Sequence, residues 1–96
     1  MPTPTLEPGY ALHINGSQVM SGQLSVNIPN GTVDLYQLPY SDNTYAKNST
    51  VTLNVIPTNP QSRVGFYGGF FSYDGTFGTI IMDNQKWVTI TITPPA

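Results

Sequence analysis

The sequence predicts an all-β domain, a small antiparallel sandwich or partly closed sheet of about seven short strands with no helix. Apolar and polar residues alternate at period two through most of the chain. Turn dipeptides interrupt that alternation roughly every eight to twelve residues, the rhythm of sandwiches and small barrels. No stretch carries apolar residues at the helical period, and glycine or proline breaks almost every segment.

Residues 1–8 contain Pro2, Pro4 and Pro8. Proline lacks a backbone donor and disfavours helix, so this stretch reads as an extended arm ahead of a single β domain over 9–93. Residues 94–96 form a short tail. Tyr10, Leu12 and Ile14 alternate up to Asn15-Gly16, a two-residue hairpin signal because both positions tolerate positive φ. Leu24, Val26 and Ile28 alternate up to a turn at Pro29-Asn30-Gly31, and Val33 and Leu35 begin the next strand. A polar, Tyr-rich loop follows over 36–48. Val51, Leu53 and Val55 then alternate until Pro57 and Pro60 end the strand. Residues 64–73 interleave Phe66, Tyr67, Phe70, Phe71 and Tyr73 with glycines. Asp74-Gly75 and Asp83-Asn84 supply further turns on either side of residues 76–82. In the last strand Val88, Ile90 and Ile92 face one way and Thr89, Thr91 and Thr93 the other. The expected core is therefore Leu24, Val26, Val51, Leu53, Val55, Val88, Ile90 and Ile92.

Composition narrows the function. The 96 residues suit one core. Charged residues make up 8% of the chain, against roughly 25% in an average domain. Solubility must come from Ser, Thr, Asn and Gln, a style common on secreted and virion-surface β proteins, and little charge keeps copies apart. With Lys47, Arg63 and Lys86 as the only Lys or Arg residues, no basic stripe exists to neutralise phosphates, which argues against nucleic acid. No apolar run approaches the ~18 residues of a membrane-spanning helix. Cysteine is absent, so disulfides and thiolate metal sites are too. The opening residues carry neither a basic nor an apolar segment of the kind that leads export. That favours a protein made without secretion, as a phage virion component is, or one module of a longer exported chain.

Three segments together resemble a known family. Thr44-Tyr-Ala-Lys-Asn-Ser-Thr-Val-Thr-Leu-Asn-Val-Ile-Pro57, then Arg63-Val-Gly-Phe-Tyr-Gly-Gly69, then Ile80-Ile-Met-Asp-Asn-Gln-Lys-Trp-Val-Thr-Ile-Thr-Ile92 are similar to the internalin-type B repeat of bacterial surface proteins. Gly31-Thr32-Val33 matches the opening strand of that unit, and Met82-Asp83 its hairpin. The likeness spans about residues 31–93. It departs from the family where Gly65-Phe66-Tyr67 replaces a glycine-tryptophan pair and where 34–43 looks inserted. The resemblance implies an extracellular, non-catalytic β module for spacing or adhesion, often in tandem, with no cofactor.

Chemistry beyond contact has little to stand on. His13 lies out of phase with Leu12 and Ile14, so it belongs to the polar face of its strand, and no nucleophile elbow accompanies it. Glu7, Asp34, Asp42, Asp74 and Asp83 are scattered, with no calcium-loop spacing. Gly68-Gly69 precedes no helix that would present amides to phosphate. The sequons at Asn15, Asn30 and Asn48 carry little weight, because Asn15 and Asn30 are also turn residues. The aromatics Tyr36, Tyr40, Tyr45, Tyr67, Tyr73 and Trp87 suit sheet packing, a protein contact or, less readily, a sugar face. Trp87 precedes the inward series of its strand, so it is either covered by a second layer or exposed for a partner.

The expectation is a non-catalytic structural protein without cofactor or metal, acting on copies of itself or on a capsid shell. It is placed at a virion surface as a small phage decoration or cement protein. The alternatives are an adhesin or spacer module at a bacterial cell surface, or a carbohydrate-binding module. Candidate partner contacts are Pro2, Pro4, Leu6, Tyr36, Tyr40, Tyr45 and Trp87.

Overall fold

The computed structural model of the chain describes residues 9–95. The arm over 1–8, and with it Pro2, Pro4 and Leu6, lies outside the described residues. Nine strands and no helix are found among those described: β1 (Leu12–Ile14), β2 (Ser17–Gln18), β3 (Ser25–Ile28), β4 (Gly31–Leu35), β5 (Thr50–Pro57), β6 (Arg63–Gly68), β7 (Ser72–Asp74), β8 (Phe77–Ile81) and β9 (Lys86–Thr93). They form two sheets, ordered β2-β1-β9-β6 and β3-β4-β5-β8-β7. The inward rows of both sheets meet in one apolar cluster. The fold is thus the small all-β architecture that the alternation predicts. One ladder departs from the antiparallel rule: β1 runs parallel to β9, with His13 beside Trp87 and Ile14 beside Val88.

Local chemistry explains the hairpins. Asn15 and Gly16 have φ of 51° and 84°, and Ile14 pairs with Ser17 across them. That is the mirror-image turn whose twist matches the flanking strands. At the next hairpin Ile28 pairs with Gly31. Pro29 pre-sets the first turn position and Asn30 takes φ of 71° at the second, the requirement of a type II turn. This turn type splays strands, and Asn30 offsets that by bonding outward. Its amide donates to the Ile92 carbonyl at 3.0 Å, and its own carbonyl accepts from the Thr58 N–H at 2.9 Å. The β7–β8 turn falls on Gly75-Thr76, one residue later than the dipeptide suggests, since Asp74 still pairs with Phe77.

Residues around Asp83-Asn84 do not close a hairpin. They carry the chain from β8 in one sheet to β9 in the other, with Met82 buried at the crossing. A Lys86–Asp83 ion pair at 2.8 Å steadies this link. The lysine's hydrogen bond and charge hold the exposed Asp83 carboxyl below its ordinary range.

Side-chain amides finish the ladders where strands run out. Past Ile14 the Asn15 N–H still donates to the Val88 carbonyl at 3.0 Å. Then its side chain takes over as a strand residue would: Oδ1 accepts from the Ile90 N–H at 2.7 Å and Nδ2 donates to the Ile90 carbonyl at 2.9 Å. Gln37 does the same beyond β4, its Oε1 accepting from the Thr52 N–H at 2.6 Å.

Val26, Val51, Leu53, Val55, Val88, Ile90 and Ile92 are buried as the alternation requires, joined by Leu12, Ile14, Val33, Leu35, Phe66 and Ile80. Leu24 is the exception at 60% exposed. It sits just before β3, beside the edge of its sheet; its carbonyl still accepts from the Leu35 N–H at 2.8 Å, but its side chain points outward.

Two outcomes follow for denaturant unfolding. Ile90→Ala costs about 2–5 kcal/mol, whereas Leu24→Ala stays within ~0.5 kcal/mol. Asn15→Gly keeps the turn backbone but removes both amide bonds to Ile90, at a loss of about 1–3 kcal/mol.

Candidate functional site

The two outer sheet faces carry the exposed aromatics, and alternation puts them there. On β9, Val88 points inward, so Trp87 points out and is 57% exposed. Its parallel neighbour on β1 is His13, and the two rings stack with centroids 5.0 Å apart at 14°. Among the described residues no second layer covers Trp87. His13 is on the outer face as its phase requires, but it is packed rather than solvated. Trp87 half-buries it, and its Nδ1 is buried with no partner. Along the same face run Thr89, Thr91 and Thr93, with exposed Tyr67 of β6 opposite Thr89. Tyr67 folds back over Gly65, where a Cβ would lie 2.8 Å from its ring.

The other sheet presents a second aromatic pair. Tyr36, just beyond β4, is 57% exposed and meets the exposed Phe77 of β8 edge-on, centroids 6.2 Å apart. Asn54, beside Phe77 in the ladder, accepts from the Thr76 hydroxyl at 2.6 Å. Phe77 was not anticipated as a contact residue. Its alternation with buried Gly78 and Ile80 carried no outward signal until its neighbour strands were known.

A third aromatic group closes one flank of the sandwich. Buried Phe66 of β6 stacks on Tyr73 of β7 at 5.2 Å and meets Phe70 edge-on at 5.2 Å. Gly78 makes the room, since a Cβ there would come within 2.7 Å of Phe70. Tyr73 and Phe71 remain exposed beside this group.

Tyr40 and Tyr45 sit in the long loop after β4, with different fates. Tyr40 is 38% exposed and borders a hollow of about 130 Å³ with Gln37, Leu38 and Ala46. Tyr45 is only 3% exposed and joins the core, so it offers no partner contact. Its backbone exchanges two hydrogen bonds with Tyr10, at 2.9 and 2.8 Å, which aims the ring inward. Its hydroxyl then donates to the Gln37 carbonyl at 2.9 Å. Burial pushes the Tyr45 phenol up to about 12.

The site residues are thus dispersed. Trp87 lies on one face, Tyr36 on the opposite face and Tyr40 on a loop. Among the described residues no three His, Asp or Glu side chains come together as a metal set would. No helix of the described residues is long and apolar enough to cross a membrane. No family model, curated protein or solved structure matches this chain.

Tyr45 generates a pH signature. Its folded value of about 12 exceeds the ordinary 10, so the folded state holds the proton more tightly. The stabilisation is complete below pH ~10 and is lost as pH rises toward ~12. Tyr45→Phe costs about 0.5–1.5 kcal/mol at neutral pH for the lost hydrogen bond. It also removes Tyr45's share of the alkaline loss, read from denaturant midpoints across pH 9–12.

Proposed function

We propose that this chain is a non-catalytic structural protein working through protein–protein contact, most specifically a small decoration or cement component of a phage virion. The observation that carries the reading is the exposed aromatic pairing on both sheet faces, Trp87 on His13 and Tyr36 on Phe77. Rigid rings offer large contact area at low entropy cost, which is why they are enriched at interface centres. Here they stand on a surface with few charges to repel a second protein.

An adhesin or spacer module of a bacterial surface protein is the second reading. The resemblance of residues 31–93 to the internalin-type B repeat favours it. The two differ in where the protein is found. An antibody against this chain should label density-banded virions from the producing culture. Recovery in the cell-envelope fraction, within one long exported polypeptide, decides for the adhesin instead.

The contact role is tested by Trp87→Ser. Stability should fall by no more than ~1.5 kcal/mol, the worth of one exposed aromatic pair. Co-sedimentation with the particle should fall at least tenfold. Unchanged co-sedimentation removes Trp87 from the interface.

A further inference from the structure

The strand β6 has one partner. Its register with β9 runs from Arg63 beside Thr93 to Gly68 beside Val88, and no strand of the described residues pairs on its other side. The phase of its peptide groups follows from β9. Val88, Ile90 and Ile92 direct their peptide groups to the β1 side, toward Asn15 and Asn30. Thr89, Thr91 and Thr93 therefore bond β6, through Tyr67, Gly65 and Arg63. What remains on the open edge is the N–H and C=O of Val64 and Phe66 and the N–H of Gly68, whose carbonyl is taken by Phe70. An open edge with apolar neighbours is a template for another strand.

The arm over residues 1–8 has the complementary pattern. Pro2, Pro4 and Pro8 occupy even positions, while Thr3, Thr5 and Glu7 retain their donors at odd positions. In extended chain, alternate peptide groups point to opposite edges, so this arm keeps every donor on one edge and only that of Leu6 on the other. Its side chains alternate too, with Pro4, Leu6 and Pro8 on one face and Thr3, Thr5 and Glu7 on the other. Parallel addition satisfies both alternations. The odd residues then lie beside Arg63, Gly65 and Tyr67 on the outer face, and Pro4 and Leu6 lie beside the inward Val64 and Phe66. Antiparallel addition turns the polar residues inward. In the parallel phase Glu7 and Arg63, of opposite charge, also share the outer face.

The arm cannot reach its own β6. Tyr10 is pinned to Tyr45, and the loop holding Tyr45 bonds β2 through Asn43, on the far flank of the sheet from β6. Strands are spaced about 4.8 Å apart, so the open side of β6 lies about 14 Å across the sheet from β1. Two extended residues separate Glu7 from Gly9 by at most about 7 Å. We propose that residues 3–7 of one copy add as a parallel strand to the open edge of β6 in a second copy. This rests on the reading of the chain as a protein-contact component and names its self-contact. Tyr10, from which the arm leaves, and the acceptor edge lie on opposite flanks, so the contact is head-to-tail. With Leu6 the one donor on its far edge, the added arm offers a further strand too few donors for a ladder.

Two full-length variants test this by complementation. Val64→Pro blocks the acceptor edge without touching a bond to β9, and its arm is intact. Thr3→Pro with Thr5→Pro disables the arm and leaves the edge open. Each alone should sediment as a monomer, and their mixture as a one-to-one pair. Two monomers in the mixture, with both variants melting at the wild-type midpoint, overturns the proposal. A peptide of residues 1–8 added to the arm-disabled chain avoids the Val64 substitution altogether. It should shift the backbone amide resonances of Val64, Phe66 and Gly68, and a Thr5→Pro peptide should not. Equal shifts from both peptides, or shifts confined to other residues, also overturn it. Virion labelling that persists while complementation fails rejects the arm contact and leaves the function reading intact.

Discussion

β9 must be satisfied along both edges, and much of the molecule is arranged to do so. It spans Lys86–Thr93 and supplies Val88, Ile90 and Ile92 to the core. One edge is covered along its length by β6. The other has only the short β1, which runs beside Lys86 to Val88. Beyond that point Ile90 and Ile92 would face solvent with unpaired peptide groups. The Asn15 amide meets both the N–H and the carbonyl of Ile90 instead, and the Asn30 amide meets the Ile92 carbonyl. Asn30 belongs to a hairpin of the opposite sheet, so one hydrogen bond both completes a ladder and ties the two sheets together. That bond adds a directional tie to the shared apolar core and to the Phe66–Tyr73 stack, which also join the layers.

Alternation and turn chemistry made the strands legible from residues alone. Asn15-Gly16 and Pro29-Asn30 sit at hairpins because positive φ is needed there, and that need is local. Sheet membership is not local. Asp83-Asn84 resembles a hairpin turn, yet β8 and β9 belong to different layers, because buried Met82 turns the chain between sheets. The parallel β1–β9 pair joins residues far apart in sequence, and periodicity is silent about such partners. Leu24 shows the same limit in miniature: it shares the sequence phase of Val26, yet at the start of an edge strand its side chain is exposed.

The candidate contact residues divide in a similar way. Trp87 was legible because it opens a strand whose inward series is unambiguous. Tyr36 was legible as an aromatic in a polar stretch. Tyr45 stands in that same stretch and is buried, since a single two-bond bridge to Tyr10 decides its direction. Tyrosine suits either fate, being apolar along its ring and polar at its tip. Once the bridge aims the ring inward, the Gln37 carbonyl satisfies its hydroxyl.

The two asparagines that clamp β9 are also its chemically least durable points. Each is followed by glycine, whose unhindered peptide nitrogen can attack the side-chain carbonyl and release ammonia. That closes a five-membered cyclic imide, which water then opens to aspartate or to its iso-linked isomer. At Asn15 that replaces a donor with a carboxylate facing the Ile90 carbonyl, turning an attraction into a repulsion. At Asn30 it does the same against Ile92, where the two layers are joined. Both amides are hydrogen-bonded to β9, so reaction at either one also removes a bond to that strand. Ageing of the protein would begin at its seams and release β9 along the edge that β1 leaves uncovered.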